Sequence, residues 1–177
     1  MSGHNKWSKI KNRKAVTDAQ KSKIFSKYAR LIAAESKGVG GDVGSPTLLA
    51  VIERARGENM PNDNIERAIK KGAGSDSENL EEVVYETYGP GGAAILIEAL
   101  TDNRNRTAQE IKHVLSEQGF VLATPGSASW AFQKAPGGFE ATTPIFLPSV
   151  EQALLEKLID VLGELDDVQE IYTNASD

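Results

Sequence analysis

Apolar positions recur at helical spacing through the first third of the chain, then switch between strand and helix patterns. Between Ala15 and Lys37, the side chains of Ile24, Tyr28, Leu31 and Ile32 share one helical face with Phe25 beside them, while Lys23, Lys27 and Arg30 project from another. GVGGDVGSP, from Gly38 to Pro46, breaks that helix, and Ser45 with Pro46 reads as an N-cap and first turn for a helix carrying Leu48, Leu49, Ile52 and Ala55. MPNDNIERAIKKG, from Met60 to Gly72, restarts the pattern with Asn62 or Asp63 as cap, Ile65, Ala68 and Ile69 inward, and Gly72 as terminator. Arg67, Lys70 and Lys71 lie on its outer side, where the two lysines also suit the negative end of a helix dipole.

GAGSDSENLEE has no apolar period and reads as a linker, placing a boundary near Asp76. Beyond it, VVYETY and AAILIEAL are expected strands joined by GPGG, and NRNRTAQEIKHVLSEQG is an expected helix with Ala108, Ile111 and Leu115 inward. A strand is expected at SASWAF. After FEATTPIFL, Ser149 with Gln152 forms an expected capping box for a helix carrying Leu154, Leu155, Leu158, Ile159 and Leu162, and VQEIYT is a closing strand. The order β-β-α-β then β-α-β predicts an α+β fold: a helical domain over residues 1–76, then a ferredoxin-like domain over 77–177 whose mixed or antiparallel sheet carries two helices on one face.

Charge changes this picture more than composition does. The 177 residues, 40% apolar and 25% charged, suffice for a soluble core, and the net charge is −5. That total hides a segregation: residues 1–71 hold 15 Lys and Arg against 7 Asp and Glu, whereas residues 72–177 hold 5 against 18. Opposite signs in the two halves point to one module shaped for a polyanion and another for solubility or for cellular machinery. Lys6, Lys9, Lys11, Arg13, Lys14, Lys21, Lys23, Lys27 and Arg30 are opposed in that stretch by Asp18 alone. Such one-signed clustering neutralises several phosphates and releases condensed counterions, giving affinity without sequence preference. Trp7, within the cluster, either stacks on a base or covers the helix core.

Other chemistries find little support. No apolar run approaches the roughly 20 residues of a membrane span, and AAILIEAL is interrupted by Glu98. The chain has no cysteine, so thiolate metal sites and disulfides are excluded. The basic opening is helix-patterned, with few serines and arginines, and reads as folded protein rather than an organellar presequence, which favours the cytoplasm. His4 and His113 are expected on the surface, and no nucleophile motif or suggestive carboxylate pair occurs, so neither an enzyme nor a cofactor is expected. GPGG lacks the lysine and hydroxyl of a P-loop and is a hairpin turn. Arg104 and Arg106, just after the capping Asn103, are either solvated or a phosphate seat at a helix N-terminus.

GHNKWSKIKNRKAVTDAQKSKIFSK, NMPNDNIERAIKKG, YETYGPGGAAILIEALTDNRNRT and LDDVQEIYTNA closely resemble the YebC/PmpR family over nearly the whole chain. The resemblance implies a helical N-terminal domain, α+β domains behind it, no enzymatic activity and nucleic acid as partner: promoter DNA for transcriptional regulators, ribosomal RNA for translation factors at the ribosome. It also implies that Lys9, Lys11, Arg13, Lys14, Lys21, Lys23 and Lys27 carry the contact, and the charge pattern adds Lys6, Trp7, Arg30, Lys70, Lys71, Arg104 and Arg106 to the expected nucleic-acid-binding set. Typical members insert a further small domain after the strand matching SWAFQK, whereas here APGGF leads directly into ATTPIFL. RNA is the physically easier partner, because no helix-turn-helix with a base-reading set is evident. The alternative is an adaptor whose basic face docks an acidic protein.

Overall fold

In the computed structural model, which describes residues 17–75, 78–136 and 138–176, Thr17 fixes the start of the first helix, α1 (Asp18–Gly38). Its hydroxyl accepts from the Gln20 amide at 3.3 Å while its own amide donates to Gln20 Oε1 at 2.9 Å, a reciprocal box that satisfies two orphan donors. The signal stands in the sequence as TDAQ, whereas the apolar spacing between Ala15 and Lys37 does not by itself fix the first turn. Pro46 opens α2 (Pro46–Gly57) at its first turn, but the Ser45 hydroxyl meets Thr47 Oγ1 at 3.0 Å and makes no cap bond. The third helix, α3 (Asn62–Ala73), is capped by Pro61 rather than by Asn62 or Asp63, whose place is already inside the first turn. Tyr28, Ile32, Leu48, Ile52, Ala55, Met60, Ile65 and Ala68 close a core among the three helices.

Gly72 has a different role from the expected terminator. Helix α3 runs one residue past it, and Gly72 is buried where α3 crosses α1. A Cβ there would lie 2.2 Å from the Ala33 carbonyl oxygen and 2.8 Å from Ser36 Cβ. The close approach is reinforced by the buried Ser36, whose hydroxyl donates to the Ile69 carbonyl at 2.8 Å. Hydrogen bonding across so short a crossing leaves room only for a residue without a side chain.

The described residues divide into two compact units at Glu81/Glu82. In the second, β1 (Glu81–Tyr88) and β2 (Ala94–Thr101) form a hairpin around a turn in which Gly91 and Gly92 take φ of 64° and 79°, where glycine has no Cβ penalty. Next come α4 (Arg104–Glu117), β3 (Leu122–Ala123), β4 (Phe132–Ala135), β5 (Gly138–Ala141), β6 (Ile145–Phe146), α5 (Ser149–Gly163), β7 (Val168–Thr173) and β8 (Ala175–Ser176). The main sheet has the order β3-β1-β2-β7, with β3 antiparallel to β1 and β7 antiparallel to β2; β4 pairs with β5, and β6 runs parallel to β8. Helices α4 and α5 cover one face, where Ile95 and Ile97 of β2 and Ile171 of β7 meet Ile111, Leu115, Leu155, Ile159 and Leu162. Ala94, Ala128, Ala131 and Phe132 pack the other face, which explains why β2 reads as a continuous apolar run rather than an alternation.

The expected SASWAF strand is mostly not a strand. Residues Ser129–Ala131 form a 3-10 turn and pairing begins at Phe132. The cause is Glu86 on β1, which accepts from the amides of Gly126, Ala128 and Ser129 at 2.7, 2.7 and 2.8 Å, so these donors are unavailable to a ladder. The expected box at Ser149 is likewise absent: Pro148 caps α5, with no side-chain bond. Where the resemblance implies an insertion, Ala135 pairs directly with Gly138.

Candidate nucleic-acid interface

Helix α1 sets the pattern of the basic unit. Tyr28, Ile32 and Ser36 are buried at its inner face, so Lys23, Lys27 and Arg30, spaced four and three apart, are turned to another side. All three are half-buried, as long cationic side chains lying along a bundle are. Lys21 lies exposed in the helix's first part and makes no ion pair among the described residues. On α3, Lys70 and Lys71 are exposed in the last turn, at the negative end of the helix dipole. Arg54 of α2 places its guanidinium 6.0 Å from the centre of the Tyr28 ring, bracing α1 from within the unit.

Helices α1 and α3, in contact at Gly72, leave between them a groove of about 500 Å³. Ser22, Ser26 and Arg30, each four residues on from the last, line one wall, and Asn64, Arg67 and Lys71 line the other. Phe25, Ala29, Ala33 and Met60 contribute apolar surface. Arg67 donates through Nε to the Asp63 carbonyl at 3.2 Å and through Nη2 to Asn64 Oδ1, both neutral acceptors. Lys71 Nζ meets Glu78 Oε1 at 3.1 Å, and Lys37 Nζ donates to the Glu78 carbonyl at 3.4 Å and to Asn79 Oδ1. The acidic connector thus folds back on the cationic end of its own unit.

Of the residues expected at the interface, Lys6, Trp7, Lys9, Lys11, Arg13 and Lys14 lie outside the described residues. Lys21, Lys23, Lys27, Arg30, Lys70 and Lys71 all belong to the helical unit, while Arg104 and Arg106 belong to the sheet unit. Arg106 is committed to carboxylates: Nη2 donates to Asp167 Oδ2 at 2.7 Å and to Asp102 Oδ1 at 2.8 Å, and Nε stands 3.9 Å from Glu110 Oε1. The bond to Asp167, followed by that to Asp102, raises the guanidinium pKa further. Arg104 is exposed at the start of α4, and its carbonyl accepts from Tyr85 Oη at 3.0 Å. His113 is exposed and pairs loosely with Glu117 at 3.5 Å; His4 lies outside the described residues. The groove residues Ser22, Ser26, Asn64 and Arg67 were not singled out by charge clustering. Their signal was spacing along two helices, legible only once the crossing at Gly72 is known.

A three-helix unit bearing cations on all three helices, followed by an antiparallel sheet backed by two helices, makes this an α+β protein of two units. None of its helices is long and apolar enough to cross a membrane, among the described residues. The TACO1/YebC protein N-terminal domain matches residues 5–75, and the TACO1/YebC second and third domain matches residues 80–137. The chain belongs to the TACO1/YebC family. It is 44% identical over 178 residues to a "Probable transcriptional regulatory protein" of Trichlorobacter lovleyi, covering 99% of this chain and 72% of that one. Proteins of the same name from Fervidobacterium nodosum and Thermotoga maritima are each 54% identical over 136 residues, 76% of this chain and 54% of theirs. The chain therefore spans about half the length of several relatives it matches. The crystal structure of a conserved hypothetical protein from Aquifex aeolicus superposes with a TM-score of 0.77 at 30% identity, covering 90% of this chain and 91% of that one.

Proposed function

We propose that this chain is a non-enzymatic, cytoplasmic gene-expression factor that binds nucleic acid through its helical unit and needs no cofactor. The observation that carries it is the one-signed run from Lys6 to Arg30, nine cations against Asp18, whose described members all lie on α1. A solvated helix face ordinarily mixes signs, whereas a face of one sign gains affinity for a polyphosphate from counterion release. The relatives' name supports transcriptional regulation, and the same surface serves RNA at the ribosome. The proposed contact set is Lys6, Trp7, Lys9, Lys11, Arg13 and Lys14 together with Lys21, Lys23, Lys27, Arg30, Lys70 and Lys71. Arg106 is left out because three carboxylates surround it, and Arg104 because it stands in the acidic unit. The acidic unit positions the molecule or contacts protein.

The test is a titration against labelled RNA and duplex DNA over a range of salt. The triple variant Lys21→Glu, Lys23→Glu, Lys27→Glu should bind about a hundredfold more weakly at 0.1 M salt and show a shallower salt slope, with melting unchanged. Equal affinity for the variant and the parent would remove α1 from the interface.

A further inference from the structure

We propose that the groove between α1 and α3 seats a single nucleotide of an unpaired strand, so that the helical unit takes single-stranded nucleic acid in preference to duplex. This rests on the reading of that unit as the nucleic-acid surface, but goes beyond it by naming the seat and the form of the ligand. Charge alone is satisfied by any convex basic face; a groove is not needed for it. Here the outer row of α1 ends at Arg30, which also lines the groove, so a backbone held along Lys23 and Lys27 is led to the opening.

The groove's chemistry is divided as a nucleotide's is. Phe25 and Ala29, both part-exposed, offer a surface for a base above the buried Met60, and the small alanine leaves room for it. Arg67 stands opposite with its guanidinium bonded to a carbonyl and an amide oxygen, neutral acceptors that orient the fork without neutralising the charge it can offer a phosphate. Ser22 and Ser26, a helical turn apart, supply hydroxyls at sugar level. A volume of about 500 Å³ accommodates one nucleotide and excludes a stacked base pair within its duplex. Glu78, at the groove's end on Lys71, is an anion already in place. An incoming phosphate takes Lys71 from it by exchange of one ion pair for another.

Anisotropy titrations with a fluorescein-labelled 12-nucleotide RNA and with the same strand annealed to its complement test this. The double variant Ser22→Leu, Ser26→Leu fills the groove at exposed helical positions without altering charge. It should weaken single-strand binding about tenfold, the effect of losing one stacked base, while duplex binding stays within about twofold. Arg67→Gln should weaken single-strand binding and reduce its logarithmic salt slope by about 0.7, one phosphate contact. Glu78→Gln should tighten it about twofold, in keeping with an exposed pair. Full single-strand affinity in both the groove-filled and the Arg67→Gln proteins, with binding lost in the Lys21, Lys23 and Lys27 triple variant, would overturn the groove and leave the basic surface standing. A parent protein that binds neither strand form at any salt would take down both.

Discussion

The two units carry the same kinds of charged side chain and use them in opposite ways. In the sheet unit, charge is consumed internally: Asp167, its side chain 6% exposed, receives Arg106 and the Thr107 hydroxyl at 2.7 Å each, and Glu86, 8% exposed, receives three backbone amides. In the helical unit charge stays near the surface: Arg67 reaches the neutral oxygens of Asp63 and Asn64, and Arg56 and Lys71 form exposed pairs with Glu53 and Glu78. Buried charges cost several kcal/mol unless fully bonded, so their presence in the sheet unit marks sites where geometry is fixed. Exposed cations cost little and fix nothing. A single cation therefore says little of its role until its partners are known: Arg106 is held by buried and exposed carboxylates and Arg67 by neutral oxygens, yet both are the same letter.

The comparison breaks most readily at the crossing of α1 and α3. Gly72→Ala puts a methyl 2.2 Å from the Ala33 carbonyl, a backbone atom that cannot swing aside. The helices must separate, at a cost of about 3 kcal/mol by analogy with overpacked cores, and the groove must change shape with them. Thermal unfolding of the helical unit should shift accordingly. A variant melting with the parent would show that α3 was free to move and that the groove walls are not fixed.

A second break lies at Glu86. Burial pushes its carboxyl pKa up, but the amide bonds from Gly126, Ala128 and Ser129, with the Ser129 hydroxyl, outweigh burial and hold it below its ordinary 4.5. A folded value below the unfolded one means stability that is complete above pH 4.5 and disappears as pH falls through the lowered value. Glu86→Gln replaces an acceptor oxygen by an NH₂ facing N–H donors, and should cost about 2 kcal/mol at pH 7. The gap to the parent should narrow in acid below pH 4.5. Binding to nucleic acid should not change, since the residue serves the loop from Gly126 to Ser129 and no ligand.

These cases also show which parts of the molecule the sequence made legible. The α1 stripe, the Asn103 cap, whose Oδ1 accepts from the Arg106 amide at 3.1 Å, and β2 as a strand were readable because each depends on neighbours within a few residues; that β2 is covered on both faces was not. Glu86 was not, since a polar residue on an early strand looks like an ordinary solvent position until a loop some 40 residues later folds over it. Gly72 reads as a stop because a glycine after two lysines is a common helix end. Its role needs the position of Ala33, a tertiary fact. The groove was illegible for the same reason. The cationic run was visible throughout, because clustering along the chain is local.

The smallest expected effect separates local geometry from total charge within the helical unit. Glu53 pairs with Arg56 at 2.8 Å on exposed α2, and Glu78 pairs with Lys71 at 3.1 Å in the groove. Replacing either glutamate by glutamine changes the unit's charge by the same amount, and an exposed pair of this kind contributes only about 0.3 kcal/mol to stability. Were affinity for an RNA strand a matter of net charge, Glu53→Gln and Glu78→Gln would strengthen binding equally, and raised salt would erase both gains together. Were it set by which cation the phosphate meets, Glu78→Gln alone would act, because it releases Lys71 at the groove, whereas Glu53→Gln releases only Arg56, outside the groove lining. Side-by-side titrations of the two variants should show Glu53→Gln binding as the parent does; matching gains in both would make the helical unit a diffuse cationic surface and nothing more.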